Sequence, residues 1–576
     1  MTQRSVPWSS LPGMMFAMAR QRPDRPMLRY WKDGAWRRMT WAEFAEAAGH
    51  VAAFLRARGI TPGDRVLLVG ENRPEFLIAD TAIMAIGGVT VPTYTTNTAA
   101  DHAHVLGDSG ARAAIVSSAR LAEKVKEGAA AHGLDLLATM EADAPALPGT
   151  ATAGWAEVMA TPSDLAMLMA EAERIPAGRL ACLVYTSGTG NHPKGVMLPH
   201  RALLSNREGV ARIVEKLHLD GEAYLSFLPM SHAYEHTVGF LLPSLGVEVV
   251  YSRGAERLAQ EFQEIRPAIV TAVPRLFELL RARMLAQREQ QSPFRRRLFD
   301  RAVELGLRKL DGPPLGPLEW LQDRVLDRLV RSKVRARFGG RLVAMVSGGA
   351  RLDPGLSGFF LALGVPVIQG YGQTEAGPVV SVNPPWAIRR ETVGPPLEGV
   401  EVRIAPDGEL LVRGDLVMDG YWNAPEATAA ALRPAEDTPD DPRPWLHTGD
   451  MAAIEDGYIR ITDRKRDFIK TLGGDMVSPA KLETLLMAEP EVAQAVVAGE
   501  GQPAIVALIV PADGHADTVG AAIERANRKL SNVERIRHWR RVPAFTQEEG
   551  LLTPTMKVKR REVLRRYEAE LASMQR

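Results

Sequence analysis

The stretch YTSGTGNHPKGVMLPH, residues 185–200, is a glycine-rich turn that leads to a single lysine. The general Walker A phosphate loop places Ser or Thr directly after Gly-Lys. Here Lys194 follows a proline and precedes Gly195, so that pattern fails. Taken by itself, the stretch fits either a phosphate-binding loop or a polar turn between two strands. The other motifs of the chain decide between these two interpretations.

The composition is that of an ordinary soluble globular protein. The chain has 576 residues, 46% of them apolar and 24% charged, with a formal net charge of +1. This length predicts two or more domains, and the balanced charge argues against a nucleic-acid partner. The single cysteine, Cys182, excludes an internal disulfide and favours a reducing compartment. Its apolar setting, LACLVY, predicts a buried strand residue and not a nucleophile.

The sequence predicts a cytoplasmic protein. No stretch approaches the ~20 uninterrupted apolar residues that a membrane-spanning helix needs. Pro7, Pro12 and Arg20 interrupt any signal-peptide core near the N-terminus. Peripheral contact with the inner face of a membrane stays open, and the sequence does not decide between a monomer and a homodimer.

Helical and strand patterns alternate along the first part of the chain. Apolar spacing predicts helices over 41–59 and 74–88, and buried strands over 64–70 and 113–118. Such alternation predicts the α/β fold class.

The character of the chain changes towards its C-terminal end. Residues 391–414 alternate in polarity and turn at Asp407-Gly408, which predicts β-structure. The charged run TDRKRD then precedes a small α+β tail with strands at AQAVVAG and PAIVALIVP. We therefore predict two domains, residues 1–462 and 463–576.

Long basic helices are predicted between residues 278 and 338. One of them has an apolar stripe with arginines beside it, and the stripe consists of Leu318, Leu321, Val325, Leu329 and Val330. We expect such a helix to pack on its own domain, with an anionic membrane surface as the alternative.

Short polar segments follow several predicted strands. Ser347-Gly348-Gly349-Ala350 follows LVAMV, Gln369 to Glu375 follows VPVI, and Thr448-Gly449-Asp450 follows PWLH. Open α/β sheets bind ligands outside the carboxyl ends of their strands. Glycines let a flat base approach, Tyr371 offers a stacking face, and Glu375 is a hard ligand for Mg²⁺. These segments predict a nucleotide site built from loops.

With these motifs in this order, the chain resembles the adenylate-forming superfamily, which includes acyl- and aryl-CoA synthetases, over nearly its whole length. The segments LPMSHAYEH, VPRLFE and LLTPTMKVKR, with the basic helical insertion, resemble the long-chain fatty acid CoA ligase branch. The resemblance implies an α/β body with a distorted β-barrel and a small mobile C-terminal domain. It also implies ATP, Mg²⁺ and coenzyme A as cofactors and a fatty acid as substrate.

The resemblance assigns roles to residues of the nucleotide site. It implies that the β- and γ-phosphates of ATP are held by Thr186, Ser187, Gly188, Thr189 and Lys194. It places Gly349 and Ala350 beside the adenine, with Tyr371 stacked on it. It gives Thr374 and Glu375 the contacts to the α-phosphate and to magnesium.

Other roles follow from the same resemblance. Asp450 and Arg464 match the ribose ligands, and Arg466 matches the hinge, with Lys470 just beyond it. Lys557 matches the lysine that serves adenylation, although without the resemblance we would favour a solvated start of a basic helix. The catalytic residues so implied are Lys557, Glu375, Thr374 and His232.

Further positions line the paths of the acyl chain and of the thiol. His232 matches the mouth of the acyl pocket, and its alternative role is that of a capping histidine. His236 occupies a position that carries a tryptophan gate in some relatives. Gly473 and Gly474 match the loop that lines the thiol tunnel, where glycine suits a backbone passing close to a ligand.

The phosphate loop departs from the usual Thr-Ser-Gly-Thr-Thr-Gly-x-Pro-Lys-Gly. Gly190, Asn191 and His192 replace Thr-Gly-x, while the length and Lys194 are kept. Because Asn tolerates positive φ better than most residues, we expect the turn to survive. The opening stretch is thus interpreted as a phosphate loop of altered sequence.

Three functional hypotheses remain at this point. The first is a long-chain fatty acid CoA ligase. The second is a medium-chain or aryl-CoA ligase, or a fatty acyl-AMP ligase that loads a carrier protein. The third is a catalytically inactive acyl or nucleotide binder, which the altered loop favours and the retained Lys194, Glu375, Asp450, Arg464 and Lys557 oppose.

Overall fold

The computed structural model describes residues 7–141, 143–186, 193–435, 443–465, 469–472, 476–553 and 558–575. For Met476 and Gln575 only the backbone is described. The chain divides into two compact units. The larger comprises Met1–Arg403, Leu411–His447 and Glu455–Ile459, and the smaller comprises Ile404–Leu410, Thr448–Ile454 and Arg460–Arg576. The sequence-based division after residue 462 stays a prediction.

The described helices begin mostly at a capping residue or at proline. Thr40, for example, accepts a hydrogen bond from the amide of Glu43, whose side chain accepts one from the Thr40 amide in return. In chain order the α-helices are α1 (Leu11–Gln21), α2 (Trp41–Ala57), α3 (Pro74–Ala85), α4 (Ala99–Ser109), α5 (Ala119–Ala129), α6 (Trp155–Met159), α7 (Leu165–Ala172), α8 (His200–Lys216), α9 (Ala233–Ser244), α10 (Leu258–Ile265), α11 (Pro274–Glu289), α12 (Pro293–Asp311), α13 (Pro317–Leu326), α14 (Ser332–Arg337), α15 (Pro354–Ala362), α16 (Pro425–Ala431), α17 (Pro479–Met487), α18 (Val519–Asn527), α19 (Arg560–Arg566) and α20 (Glu568–Gln575).

The strands are mostly short and rich in Val, Ile, Leu and Ala. In chain order they are β1 (Pro26–Lys32), β2 (Ala35–Thr40), β3 (Arg65–Val69), β4 (Val89–Thr93), β5 (Ala113–Val116), β6 (Leu136–Thr139), β7 (Ala151–Ala153), β8 (Leu180–Thr186), β9 (Lys194–Pro199), β10 (Ala223–Ser226), β11 (Glu248–Tyr251), β12 (Ile269–Ala272), β13 (Ala344–Ser347), β14 (Val367–Gly372), β15 (Val379–Val382), β16 (Glu401–Ile404), β17 (Glu409–Arg413), β18 (Gly420–Tyr421), β19 (Leu432–Arg433), β20 (Trp445–Glu455), β21 (Tyr458–Arg464), β22 (Ile469–Lys470), β23 (Met476–Val477), β24 (Val492–Ala498), β25 (Ile505–Pro511) and β26 (Ile536–Arg541).

Two mixed sheets form the body of the larger unit. The described strands of the first have the order β15-β14-β13-β12-β10-β11-β1-β2, and those of the second have the order β18-β9-β8-β4-β3-β5-β6-β7. Strands β10, β11, β12, β13 and β14 run parallel, with β15 antiparallel to β14. In the second sheet β9 is antiparallel to both β8 and β18. The parallel strands of the first sheet therefore end at one common edge.

The structure confirms the predicted α/β class and most predicted elements. The predicted helices at 41–59 and 74–88 are α2 and α3, and the predicted strands at 64–70 and 113–118 are β3 and β5. Cys182 lies in β8 with 0% of its surface exposed, as predicted, and burial raises the pKa of its thiol.

The predicted turn at Asp407-Gly408 joins β16 to β17, and Gly408 has φ +87°. In the described chain β16, β17, β20 and β19 follow one another in a sheet, and β21 pairs with β20. The distorted barrel implied by the resemblance stays a prediction.

The smaller unit contains the predicted α+β tail. β24, β25 and β26 form a sheet, with β25 antiparallel to β24 and parallel to β26. Its apolar core includes Ile505 and Ile509 from the sheet and Leu482 from α17, and all three are buried. Among the residues that the structure describes, no helix combines the length and apolar composition that crossing a bilayer would require.

The predicted basic helices are α11 to α14, with a π-helical turn at Asp327–Arg331 between α13 and α14. The helix of the predicted stripe packs on its own domain, as expected, through the buried Leu326, but four of the five stripe residues do not belong to the packed face. Leu318, Leu321, Val325 and Leu329 are 69%, 55%, 50% and 46% exposed. Val330 alone is partly buried and packs against the core.

A buried arginine explains why the other side of this segment faces inward. Arg331 is 5% exposed, and one of its Nη atoms lies 2.7 Å from Oδ1 of Asp323, itself buried. The guanidinium also donates to the carbonyls of Ala362 at 2.7 Å and Ala302 at 2.8 Å. A buried charge is stable only when it is paired and hydrogen-bonded, so these contacts fix the inward face.

Candidate active site

The predicted adenine segment lies at the common edge of the first sheet. Ser347 at the end of β13 pairs with Gln369 of the neighbouring strand β14. Gly349 and Tyr371 each follow two residues after this pair. Gly349 and Ala350 are exposed, and Gly349 adopts φ +79°, which favours glycine. The backbone here is therefore open to a ligand beside the half-buried Tyr371.

The predicted loop after VPVI is wrong over its first half, because β14 continues through Tyr371 to Gly372. Gly372 faces the carbonyl of Pro378 so closely that any Cβ would collide with it. The strand can therefore continue beside β15 only with glycine at this position.

Thr374 and Glu375 lie in the short 3₁₀ turn that follows β14. Asn206, buried on α8, accepts a 2.7 Å hydrogen bond from the amide of Val379 and donates at 3.2 Å to the Val379 carbonyl. The amide of Met418 donates to the Glu375 carbonyl at 3.0 Å. The turn that presents the Glu375 carboxylate is thus fixed from both sides.

The two described ends of the phosphate loop face each other across an antiparallel pair. Thr186, the last residue of β8, pairs with Lys194, the first residue of β9. Tyr185 beside them donates a 2.6 Å hydrogen bond to Asp108, and burial together with that carboxylate raises the pKa of the phenol. The hairpin therefore presents Thr186 and Lys194 together.

Glu375 and Lys194 meet the same tyrosine. The hydroxyl of Tyr421 donates a 2.8 Å hydrogen bond to Oε1 of Glu375. Nζ of Lys194 lies 4.4 Å from the centre of the Tyr421 ring. Tyr421 is not among the residues predicted from the sequence, where its only local signal is the Gly-Tyr-Trp sequence at 420–422.

In the smaller unit, the structure brings together the two predicted ribose ligands. Nε of Arg464 lies 3.4 Å from Oδ1 of Asp450, whose side chain is 9% exposed. The predicted loop at Thr448-Gly449-Asp450 is wrong, because these residues lie inside β20. Gly449 has φ +72° there, and its amide donates to Oε1 of Glu409 at 2.8 Å. The Glu409 side chain thus gives the Gly449 amide a hydrogen-bond partner, and β20 continues through this irregular position.

His232 is the N-cap residue of α9, where its Nδ1 accepts a 3.2 Å hydrogen bond from the amide of Tyr234. The Tyr234 ring packs against Gly348, where an added Cβ would come within 2.9 Å of it. The capping role considered for His232 is thus observed, and His232 lies one residue from the helix that contacts the adenine segment. Its role at an acyl pocket stays a prediction.

Directly after Tyr234, Glu235 lies in a buried polar cluster. Its carboxylate accepts hydrogen bonds from Tyr224 and Ser226 at 2.5 Å each and from Thr271 at 2.9 Å. Burial raises the pKa of Glu235 to about 7, and these three donors oppose the rise. The cluster connects α9 to the ends of β10 and β12.

Seven predicted site residues lie outside the described part of the chain, and their roles stay predictions. They are Ser187, Gly188, Thr189, Arg466, Gly473, Gly474 and Lys557. Lys470 is described: it ends β22, is exposed, and its amide donates to Glu500 at 2.9 Å.

Comparison with known proteins identifies the family. The AMP-binding enzyme family matches residues 15–422, and the AMP-binding enzyme C-terminal domain matches residues 466–575. The chain belongs to the AMP-binding enzyme family. Both predicted parts of the adenylate-forming architecture are present in this one chain.

Similar proteins cover nearly the whole of this AMP-binding enzyme. It is 34% identical to Long-chain-fatty-acid–CoA ligase FadD15 of Mycobacterium tuberculosis, over 97% of this chain and 96% of that protein. It is 28% identical to Long chain acyl-CoA synthetase 7, peroxisomal, of Arabidopsis thaliana, over 92% of this chain and 80% of that protein.

Solved structures share the fold of this AMP-binding enzyme. The A domain of carboxylic acid reductase from Segniliparus rugosus, in complex with AMP and a co-purified carboxylic acid, aligns with TM-score 0.74 at 20% identity, covering 99% of this chain and 94% of that one. The o-succinylbenzoate CoA synthetase of Bacillus subtilis, in complex with its acyl-adenylate intermediate, aligns with TM-score 0.70 at 20% identity, covering 96% and 98%.

The described side chains of this AMP-binding enzyme fit a magnesium nucleotide. Glu375 is half-buried, and Tyr421 uses only one of its carboxylate oxygens, so further lone pairs can meet a hard cation. Nε2 of Gln373 is buried without a hydrogen-bond acceptor among the described residues. A nucleotide at the predicted site beside Tyr371 and Thr374 would offer such acceptors.

Proposed function

We propose that this AMP-binding enzyme is an AMP-forming long-chain fatty acid–CoA ligase. It activates a long-chain fatty acid with ATP to acyl-AMP and pyrophosphate, and then transfers the acyl group to CoA, releasing AMP. The near full-length similarity to a long-chain-fatty-acid–CoA ligase at 34% identity carries this proposal.

The chemistry explains why the site needs cationic and positioning groups and no general base for its first step. A fatty carboxylate has a pKa near ~4.5, so it is already ionised at pH 7 and attacks the α-phosphorus directly. Positioning of the reactants and stabilisation of the charge that develops on the phosphoryl oxygens then supply the rate. In the second step the thiol sulfur attacks the acyl carbon, and AMP leaves.

In the larger unit, we propose that Thr186, Ser187, Gly188, Thr189 and Lys194 hold the β- and γ-phosphates. The exposed backbone at 349–350 and the half-buried ring of Tyr371 support their roles beside the adenine. Thr374 is proposed to contact the α-phosphate. Magnesium, held by Glu375 and by the substrate phosphates, would neutralise part of the phosphate charge.

Asp450 and Arg464 are proposed as the ribose ligands, and their 3.4 Å contact supports this pairing. Asp450 is a carboxylate that can accept hydrogen bonds from both ribose hydroxyls, and Arg464 orients it. Arg466 is proposed as the hinge between functional domains 1–462 and 463–576. Lys557 would serve adenylation, while Gly473 and Gly474 would line the thiol path.

An assay of pyrophosphate release tests the proposal and its alternatives together. The acids are acetate, octanoate, palmitate and benzoate, each with and without CoA. Because each buried methylene contributes roughly 0.8 kcal/mol to binding, we expect palmitate to be preferred. With CoA present, we expect the product to be acyl-CoA. Preference for benzoate, acetate or octanoate, or acyl-AMP accumulation despite CoA, favours the second hypothesis. No release with any acid favours the inactive binder.

We further propose a cytoplasmic enzyme that contacts an anionic membrane peripherally through the exposed stripe of α13 and the turn after it. The stripe consists of Leu318, Leu321, Val325 and Leu329. Its cations are exposed and, in the described part of the chain, pair with no carboxylate; they are Arg324, Arg328 and Lys333. Arg324 stacks on the exposed Trp320 at 4.9 Å. An apolar stripe with unpaired cations beside it suits an anionic lipid surface.

Vesicle co-sedimentation tests this surface. We expect binding to vesicles containing anionic lipid, weaker binding to neutral vesicles, and loss of binding when Leu321 and Val325 are both changed to Ser. Leu472→Ser is the matched control, since this leucine is 71% exposed elsewhere in the chain. Equal binding of all proteins to both vesicle types would reject the surface.

A further inference from the structure

Tyr421 lies between two groups that the proposed function uses. Its hydroxyl donates to Oε1 of Glu375 at 2.8 Å, and its ring lies 4.4 Å from Nζ of Lys194. The first contact is a hydrogen bond to a carboxylate, and the second is a cation–π contact. One side chain therefore contacts both the proposed magnesium ligand and the lysine of the phosphate loop.

The strand register explains why the ring and the ammonium meet. Tyr421 pairs directly with Val196 in the antiparallel pair of β18 and β9. Lys194 precedes Val196 by two residues, so it lies on the same face of the sheet, diagonal to Tyr421. Aromatic and long side chains reach each other across this diagonal.

The backbone around Tyr421 is held by neighbours on several sides. Its amide donates to Oγ1 of Thr428 at 2.8 Å. The next residue, Trp422, donates from its amide to the Gly195 carbonyl at 2.8 Å and from its indole to the Asp108 carbonyl at 3.0 Å. Gly420 has φ +136°, which suits glycine. These contacts hold Tyr421 in place, so its ring and hydroxyl can orient the longer side chains of Glu375 and Lys194.

We infer that Tyr421 is a positioning residue that sets the Glu375 carboxylate and the Lys194 ammonium in a common arrangement for the magnesium nucleotide. This inference rests on the proposed function. The hydroxyl restricts the rotation of the carboxylate, and the ring restricts the long side chain of the lysine. Each restriction reduces the conformational entropy that ligand binding would otherwise cost.

Two substitutions separate the two contacts. Tyr421→Phe removes the hydroxyl and keeps the ring, so it should affect only the carboxylate. Tyr421→Leu removes both contacts. ATP binding is measured by calorimetry in the absence of acid and CoA, with and without Mg²⁺, on the full-length protein.

For Tyr421→Phe we expect a Mg²⁺ concentration for half-maximal ATP binding raised by roughly 2- to 10-fold, the range of one net hydrogen bond. Its affinity for ATP without Mg²⁺ should be unchanged. For Tyr421→Leu the Mg²⁺ requirement should rise similarly, and the metal-free affinity should also fall by roughly 2- to 5-fold. Glu375→Gln gives the effect of the impaired carboxylate itself.

Tyr458 provides the matched control in the same unit. Its hydroxyl donates to the Ala387 carbonyl at 3.0 Å, and the guanidinium of Arg389 lies 4.1 Å from its ring centre. Tyr458→Phe and Tyr458→Leu should leave both binding constants at the wild-type values. If the Tyr421 variants match these controls, or bind Mg²⁺-ATP more tightly, the inference is overturned. A wild-type protein that binds no ATP at all would overturn the proposed function itself.

Discussion

Nε2 of His236 lies 2.7 Å from Oδ2 of Asp80, and both side chains are buried in the larger unit. The contact is within ion-pair distance but does not reach hydrogen-bond geometry. Asp80 lies on α3 and His236 on α9, so the pair connects helices from distant parts of the sequence. His236 is thus a buried histidine that faces a carboxylate and packs on Phe240.

Removing His236 should therefore destabilise the protein strongly. His236→Ala takes away the imidazole that faces the buried Asp80 and leaves a cavity beside Phe240, and an unsatisfied buried polar group alone typically costs about 1–3 kcal/mol. The free energy of unfolding in urea, followed by tryptophan fluorescence, measures this loss. In the double variant with Asp80→Ala the two losses should be less than additive. Glu157→Ala, which breaks the surface pair with Arg58, should cost about 0–1 kcal/mol. A loss as small as in this control would show that the buried pair contributes little.

Glu235 should make stability fall as pH rises from 4.5 towards 7. Its pKa is raised by burial from 4.5 to about 7, so over this window the folded state binds more protons than the unfolded state. The contribution of this carboxyl is complete below pH 4.5 and is lost as pH rises through the folded-state value. Glu235→Gln should remove this dependence.

The measurement is the difference in melting temperature between Glu235→Gln and the wild type at pH 5 and at pH 8. We expect this difference to be more positive at pH 8, whatever constant offset the amide introduces. A difference that is the same at both pH values, or smaller at pH 8, would contradict the raised pKa.

Lys557 should serve the first half-reaction and not the second. In its proposed role Lys557 supplies one preorganised charge at the phosphorus, and removing such a charge typically costs ~10²–10³ in rate, so pyrophosphate release by Lys557→Ala should nearly cease. Given synthetic acyl adenylate and CoA, the same variant should form acyl-CoA at close to the wild-type rate. Arg466→Pro should show the reverse pattern, because a rigid hinge prevents domain rotation. Lys559→Ala is the neighbouring control. Equal slowing of both steps in Lys557→Ala would assign this residue a structural role.

The altered phosphate loop should bind ATP productively but weakly. Changing Gly190 to Thr and Asn191 to Gly restores the usual hydroxyl donor and glycine position. We therefore expect the KM for ATP, from pyrophosphate release with palmitate, to be the same or lower. A KM that rises would show that this loop is adapted to its own sequence.

Much of the fold was predictable because it depends on local patterns. The apolar run at 64–70 predicts a strand from its own residues alone, and β3 lies within it. The capping box at Thr40 and Glu43 starts α2 by contacts three residues apart. The predicted loops at Tyr371 and Asp450 were wrong, because both residues lie in strands. Strand pairing and side-chain contacts from other elements extend β14 and β20 through them.

The sequence by itself determined the α/β class, the order of the nucleotide motifs and the family, since these depend on residue types at fixed spacing. Only the tertiary structure decided which distant residues contact the predicted site residues. Tyr421 reaches Glu375 across 46 residues of chain because β18 pairs with β9 and Met418 binds the turn after β14. The buried Arg331 likewise decided which face of the basic helices meets solvent. Side-chain partners of this kind depend on which distant segments the topology places side by side, and no local pattern records that choice.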